Sequence, residues 1–177
     1  MAVVTTFTTA DASRRILDQI RDLFFTAFDD SFTEHDWEHA LGGWHIVAVD
    51  GDEIVSHAAV VERVLEVGNH PVRTGSVEGV ATYPSRQREG LGTLVMVETS
   101  YLLRTQFEMG ALATSVRGFY ENLGWQRWRG PTYVRCGAEL VRTEDEDDGI
   151  MVMPFGSSEG IDLASSLTCQ SRVGDDW

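Results

Sequence analysis

The sequence predicts an α+β fold, a mixed and mostly antiparallel central sheet flanked by helices. Three stretches carry that prediction. Apolar residues recur at i, i+3 and i+4 after Ser13, the mark of a helix with one buried face. Between Trp44 and Tyr83, β-prone runs alternate with glycine turns, as in consecutive hairpins. From Val77 to Leu94 an apolar run passes Pro84, crosses a polar turn holding Gly90 and Gly92, and continues as a helical pattern. That reads as strand, turn, helix.

In chain order, residues 1–9 form an opening strand because Val3, Val4, Thr5, Thr6 and Phe7 are β-prone. A helix follows from Asp11 or Ser13, either a fair N-cap, with Ile16, Leu17, Ile20, Leu23, Phe24, Ala27 and Phe28 on its apolar face. Asp29-Asp30-Ser31 breaks it. Thr33 and Asp36 make a capping box for a short helix that stops at Gly42-Gly43. Trp44–Val49, Glu53–Leu65 and Val72–Tyr83 read as strands turned at Gly51-Asp52 and Gly68-Asn69, and Pro84 closes the third because it cannot donate to a ladder.

Leu91 to about Thr105 is a helix offering Leu91, Leu94, Val95, Val97 and Leu102 for burial. Gly110–Thr114 is a short strand, and Arg117–Trp125 holds a helix ended by a glycine at C′. Trp125–Cys136 reads as one strand paired with Ile150–Phe155. The five acids Glu144–Asp148 read as a solvated loop, and the Gly- and Ser-rich tail from Gly156 as a fraying end.

A chain of 177 residues is expected to form one domain over residues 1–177, since chains of this size bury about 70 % of their unfolded surface. No apolar run approaches the ~20 residues of a membrane span, and the N-terminus lacks a basic region followed by an apolar one. A cytoplasmic protein with no membrane partner is therefore expected. The net charge of −14, from 28 acids against 14 bases, repels nucleic acid and favours cationic ligands, although acidity alone also serves solubility. Cys136 and Cys169 lack metal-type spacing and are most simply two reduced thiols, with a disulfide left open. His35 and His39 stand four apart on the short helix, but the Glu that a zinc-protease helix places directly after its first His is missing. No metal site is predicted there. Asp36, Trp37 and Glu38 are a possible rim for a cationic sugar, while His57 and His70 are isolated and carry no functional signal.

A helix starting just after a glycine turn aims unpaired N–H groups and the positive end of its dipole at one spot, which suits a phosphate. The turn lacks the Lys-Ser/Thr ending of a nucleotide-hydrolase loop and does not match Gly-x-Gly-x-x-Gly. A plain tight turn is the other reading. The spacing Gln87-Arg88-Glu89-Gly90-Leu91-Gly92 matches Gln/Arg-x-x-Gly-x-Gly/Ala and so resembles the acetyl-coenzyme A pyrophosphate site of the GCN5-related N-acetyltransferases (GNAT). About thirty residues on, Phe119-Tyr120-Glu121-Asn122-Leu123-Gly124-Trp125 matches that family's Phe-Tyr-x-x-x-Gly-Phe/Trp. The resemblance implies the GNAT fold, acetyl-CoA as cofactor and CoA as product. It also implies a pyrophosphate on the N–H groups of Arg88, Glu89, Gly90, Leu91 and Gly92, with Gln87 and Thr93 completing the segment. Arg86 and Arg88 offset the phosphates, and Val80, Ala81 and Thr82 hold the pantetheine arm.

Acetyl transfer to an amine needs a bound coenzyme, a neutral amine, stabilisation of an oxyanion and a proton for the departing thiolate. Glu78, two residues before Val80, is the candidate base, placed on the same face by strand alternation and acting directly or through a water. Its plain alternative is a strand-end carboxylate facing solvent. Tyr120 is the candidate acid, since a phenol with a pKa near 10 stays protonated at neutral pH. Without the family motif it reads as an ordinary buried aromatic.

Across nearly the whole chain the sequence resembles the aminoglycoside 2'-N-acetyltransferases. The shared pattern is Phe32–Gly43, Val77-Glu78-Gly79-Val80-Ala81, Gly124-Trp125, Asp147-Asp148-Gly149 and Gly174-Asp175-Asp176-Trp177. The resemblance implies an acidic cleft in which Asp36, Glu78, Gly79, Asp147, Asp175 and Trp177, with its carboxylate, contact the cationic antibiotic. It also implies direct transfer within a ternary complex, and a homodimer, since family members are commonly dimers. Ser31 stands where a further substrate-contacting Asp is expected, and Ser115-Val116-Arg117 is about two residues shorter than in mycobacterial members. The substrate is therefore either a 4,6-linked deoxystreptamine such as gentamicin or tobramycin, or a smaller aminoglycoside such as kasugamycin. A protein or polyamine acetyltransferase, or a silent coenzyme- or antibiotic-binding module, are the alternatives.

Overall fold

A computed structural model describes residues 1–177, the side chain of Asp30 excepted. In order the elements are β1 (Val3–Thr8), α1 (Arg14–Phe28), α2 (Glu34–His39), β2 (Trp44–Asp50), β3 (Glu53–Val67), β4 (His70–Thr82), α3 (Leu91–Gln106) and β5 (Met109–Ala113). Then come α4 (Arg117–Glu121), β6 (Gln126–Arg127), β7 (Thr132–Cys136), β8 (Glu139–Arg142), β9 (Ile150–Pro154) and β10 (Leu167–Gln170). The fold is α+β, as predicted, and most strand pairs are antiparallel. The chain divides into two compact units, Met1–Val61 with Val77–Leu102, and Glu62–Ser76 with Leu103–Trp177.

In the first unit β1 pairs antiparallel with β2, and β2 with β3, the register slipping by one residue between Ala48 and Val49. The Ser13 hydroxyl caps α1, and Ile20, Leu23 and Phe24 are its buried residues. Phe24 is the hub of this core: the rings of Phe32, Trp37 and His57 lie 4.9, 5.7 and 4.8 Å from its own. The capping box on α2 forms with both of its hydrogen bonds, but the helix stops at His39, before the predicted Gly42-Gly43.

The predicted apolar face of α3 is rotated in the structure. Leu91, Val95, Met96 and Leu103 are buried, whereas Leu94 and Val97 are 47 % and 59 % exposed. The buried stripe runs at intervals of four through Leu91, Val95, Thr99 and Leu103. Thr99 is tolerated inside because its hydroxyl donates to the Val95 carbonyl at 2.8 Å.

The second unit carries the strand order β6-β9-β5-β4-β3-β10-β7-β8. β5 is parallel to β4 and antiparallel to β9. Trp125–Cys136 is not one strand. Its first part pairs with β9 as predicted, and its second part pairs with β8 and, in parallel, with β10. The break falls at Gly130-Pro131, where a Cβ on residue 130 would stand 1.8 Å from the Ser165 carbonyl oxygen. The tail does not fray: β10 is inserted between β3 and β7, with Leu167 and Cys169 buried. Burial and two ladders outweigh the glycine- and serine-rich composition. Cys136 is exposed and Cys169 buried, and both are free thiols.

Candidate active site

The ladder between β4 and β5 ends at the Ser76–Ala111 pair. Three residues later Gly79 adopts φ 55°, a left-handed conformation in the middle of a strand. Only glycine fits, because a Cβ there would stand 2.3 Å from Phe24 Cζ. Strand alternation therefore does not carry across Gly79, and the side-chain relation predicted between Glu78 and Val80 loses that basis. Glu78 itself is half-buried. Beyond it the strand end is held by Ser56, whose hydroxyl donates to the Ala81 carbonyl at 3.0 Å and lies 2.8 Å from Thr82 Oγ1.

The turn into α3 contains two left-handed residues, Arg88 (φ 67°) and Gly90 (φ 82°). A left-handed arginine costs about 1–2 kcal/mol, strain that concentrates at ligand clamps. The Gly90 carbonyl accepts the first helical bond from Leu94 N at 3.0 Å. The N–H groups of Leu91, Gly92 and Thr93 thus open the helix, where no intrahelical acceptor exists for them. Gln87 and Arg88 are exposed. Arg86 is engaged within the protein: its Nε is 2.9 Å from Glu89 and its Nη2 3.0 Å from Asp50. The Glu89 and Asp50 carboxylates hold its guanidinium above the usual range.

Behind the Gly79 bend lies a pair of buried histidines. His57, expected to carry no signal, is fully buried, and its Nδ1 is 2.9 Å from the Gly79 carbonyl oxygen. Its Nε2 is 2.9 Å from Nδ1 of the equally buried His45, whose Nε2 is 2.8 Å from Thr9 Oγ1. Burial first, and then the neighbouring His45, push the His57 imidazole down to about 3. Burial alone takes His45 to about 4. Both rings are neutral at pH 7.

Of the substrate residues expected in the first unit, Asp36 is the capping carboxylate of α2 and accepts from Thr33 N and Thr33 Oγ1, both at 2.7 Å.

In the second unit Tyr120 is 8 % exposed on α4, its ring 5.0 Å from Phe119 and 6.1 Å from Trp125. Burial pushes its phenol up to about 12. Trp125 Nε1 is a buried side-chain nitrogen without a hydrogen-bond partner among the described residues. Asp147 is paired with Arg142 at 2.7 Å and accepts from Thr132 N and Oγ1, both at 3.0 Å. The Arg142 guanidinium beside it holds its carboxyl down to about 2. Trp177 is anchored through its indole N–H to Thr143 Oγ1 at 3.2 Å, and its main-chain N–H donates to Asp175 at 3.1 Å. Acidic loop and acidic tail meet here: burial first, then Asp175 and Asp145, raise the Glu146 carboxyl. A cavity of about 500 Å³ elsewhere in this unit, lined by residues such as Asn69, His70, Glu108 and Asp162, includes none of the predicted site residues.

A family model described as an acetyltransferase (GNAT) domain matches residues 10–128. An aminoglycoside 2'-N-acetyltransferase of Mycolicibacterium fortuitum is 38 % identical over 173 residues, which cover 96 % of this chain and 89 % of that protein. A GNAT-family N-acetyltransferase from Escherichia coli, solved in complex with CoA, superposes with a TM-score of 0.68 at 13 % identity, covering 98 % of this chain and 93 % of that one. A GNAT-family acetyltransferase from Brucella melitensis, solved in complex with acetyl-CoA, gives 0.61 at 16 % identity, covering 87 % and 89 %. At those identities the two structures show a shared fold. With the family model over two-thirds of its length and a curated relative over nearly all of it, the chain belongs to the aminoglycoside 2'-N-acetyltransferase family of the GNAT acetyltransferases.

Proposed function

We propose that this protein transfers the acetyl group of acetyl-CoA to the 2'-amine of an aminoglycoside, inactivating it, by direct attack within a ternary complex. The observation that carries the reading is the strained turn Arg88–Gly90 at the head of α3, directly after a strand bent at Gly79, in a chain 38 % identical to an aminoglycoside 2'-N-acetyltransferase. In this reading residues 1–177 work as one acetyltransferase domain. The N–H groups of the turn and of Leu91, Gly92 and Thr93 take the pyrophosphate, with Arg88 adding charge. Because Arg86 is shared between Glu89 and Asp50, it shapes the turn and contributes less to the phosphates. The pantetheine arm lies along Val80–Thr82, and the Val80 N–H polarises the thioester carbonyl.

Glu78 takes the proton from the amine, directly or through a water. Tyr120 is the proposed acid for the thiolate, but with its phenol near 12, full proton transfer to a thiolate of ordinary basicity, pKa about 8.5, is uphill. Tyr120 therefore serves first as a hydrogen-bond donor to the leaving sulfur. Tyr120→Phe is expected to lower kcat by about 10²-fold and leave acetyl-CoA affinity unchanged in a calorimetric titration. A parallel loss of affinity would mark Tyr120 as a packing residue.

The residues proposed to contact the amino sugar are Asp36, Glu78 and Gly79 of the first unit and Asp147, Asp175 and Trp177 of the second. The net charge of −14 and the crowding of Glu146 with Asp175 support a cationic ligand, since a polyamine sugar relieves like-charge repulsion. Asp36 and Asp147 already hold structural hydrogen bonds, and Asp147 accepts four of them from Thr132 and Arg142, so it acts on the sugar through its charge and not through a vacant acceptor site. The enzyme works in the cytoplasm, where acetyl-CoA is made. It acts as a homodimer, supported by the exposed apolar stripe Leu94, Val97 and Tyr101 on α3. Sedimentation should give twice the chain mass of 19.7 kDa, and a monomer at micromolar concentration would refute the dimer. The function is tested by CoA release with gentamicin, tobramycin, kasugamycin and a basic peptide. Release must require both acetyl-CoA and an aminoglycoside; faster release with the peptide would reassign the substrate.

A further inference from the structure

We propose that His57, His45 and Thr9 are positioning residues: a one-way hydrogen-bond chain that fixes the Gly79–Val80 peptide and thereby aims the Val80 N–H. The proposal rests on the acetyl-transfer reading for its catalytic consequence, and on this structure alone for its geometry.

The direction of every bond follows from one fixed end. A carbonyl oxygen only accepts, so the proton between His57 and Gly79 sits on His57 Nδ1. A neutral imidazole has a single N–H, which leaves His57 Nε2 as an acceptor. His45 Nδ1, 2.9 Å away, must donate to it. His45 Nε2 is then an acceptor in turn, and the Thr9 hydroxyl at 2.8 Å donates to it in preference to the Gly43 carbonyl at 3.3 Å. Thr9 Oγ1 accepts from Gly42 N at 3.0 Å, which completes the chain. Each ring thus gives one bond and takes one, and both are 0 % exposed. A second proton on His57 would set two donors against each other, so the chain exists only with that ring neutral; a second proton on His45 would turn its Nε2 into a donor to the Thr9 hydroxyl and reverse that last bond.

The far end is where this matters. No peptide bond among the described residues is cis, and in a trans peptide the C=O and N–H point in opposite directions. Holding the Gly79 oxygen toward His57 turns the Val80 N–H away from it. Gly79 is the residue least able to do this by itself, because glycine populates both halves of φ space and lets its peptide flip cheaply. The imidazole supplies the restraint that a side chain on residue 79 cannot.

Two variants separate positioning from packing. Asn places an N–H donor where His57 Nδ1 stands, and Leu fills the space without one. In His57→Leu the Val80 amide resonance should move in a ¹⁵N–¹H spectrum and kcat should fall on the order of 100-fold at nearly constant acetyl-CoA KM. His57→Asn should restore most of both, although it loses as much ring packing. In the wild type, ¹⁵N spectra should show both rings as neutral Nδ1–H tautomers at pH 7. An Nε2–H tautomer at His57, an unmoved Val80 amide in His57→Leu, or Leu and Asn variants losing kcat equally would overturn the proposal. If wild-type protein transfers acetyl to no amine while the Val80 amide responds as described, it is the functional reading that falls and the peptide clamp stands.

Discussion

Replacing Glu78 by Gln is expected to lower kcat/KM for the aminoglycoside by about 10²- to 10⁴-fold, the contribution of a positioned general base. The substitution keeps size and hydrogen-bonding shape while removing the group proposed to accept the proton. Glu78 is half-buried and directly precedes the Gly79 bend, so its backbone is held by the same feature that shapes the strand. Acetyl-CoA affinity and thermal stability should therefore stay near wild type. Because Glu78 is also one of the anions proposed to contact the amino sugar, a rise in antibiotic KM should accompany the loss of rate. Wild-type turnover by the Gln variant would remove Glu78 from the mechanism and leave the amine to lose its proton to solvent.

The second large effect is on stability. Lowering the pH from 7 to 4 should cost on the order of 5 kcal/mol of unfolding free energy through His45 and His57. In the unfolded chain both rings take up protons below the usual 6.5, whereas in the folded protein burial delays this to about 4 and about 3. Between those limits the unfolded state binds more protons, so stability is fully present above 6.5 and drains away as the pH falls. Asp147, held down to about 2 by Arg142, adds a loss in the same direction that begins only below its ordinary range near 3.8. Urea unfolding measured at unit steps of pH should show its steepest decline between 6.5 and 4. A flat profile down to pH 5 would mean that the two rings are not buried neutral.

Much of this was legible in the sequence because it depends on local rules. The capping box of Thr33 and Asp36, the hairpin turns at Gly51 and Gly68 and the strand-turn-helix around Gly90 are each written within a few residues. The His45–His57 pair was not legible, for a definite reason. Extending the pairing of Asp50 with Glu53 along the hairpin would set His57 opposite Ile46 and place the two rings on opposite faces. The one-residue slip between Ala48 and Val49 moves His57 opposite Val47, on the face of His45, and makes the rings diagonal neighbours. Nothing local announces that bulge. The order of the tail is hidden for a related reason: β10 is held by β3 and β7, which are distant in sequence, and a four-residue run carries no signal for partners so remote. On α3, apolar identity pointed to Leu94 and Val97, while the packed stripe accepted Thr99 because its hydroxyl has a backbone partner.

The family places an acetyl group and an amine in this protein; the chemistry of the site is the claim that the bend at Gly79, with Glu78 before it and Val80 after it, brings them together at one nitrogen. That is measured most directly by incubating the wild-type enzyme with ¹³C-acetyl-CoA and a 2'-amino aminoglycoside and locating the new amide by NMR. The expected product carries a single acetyl group on the 2' nitrogen, formed in step with free CoA. Acetylation at any other amine, or no product above background with gentamicin, tobramycin and kasugamycin alike, would contradict it.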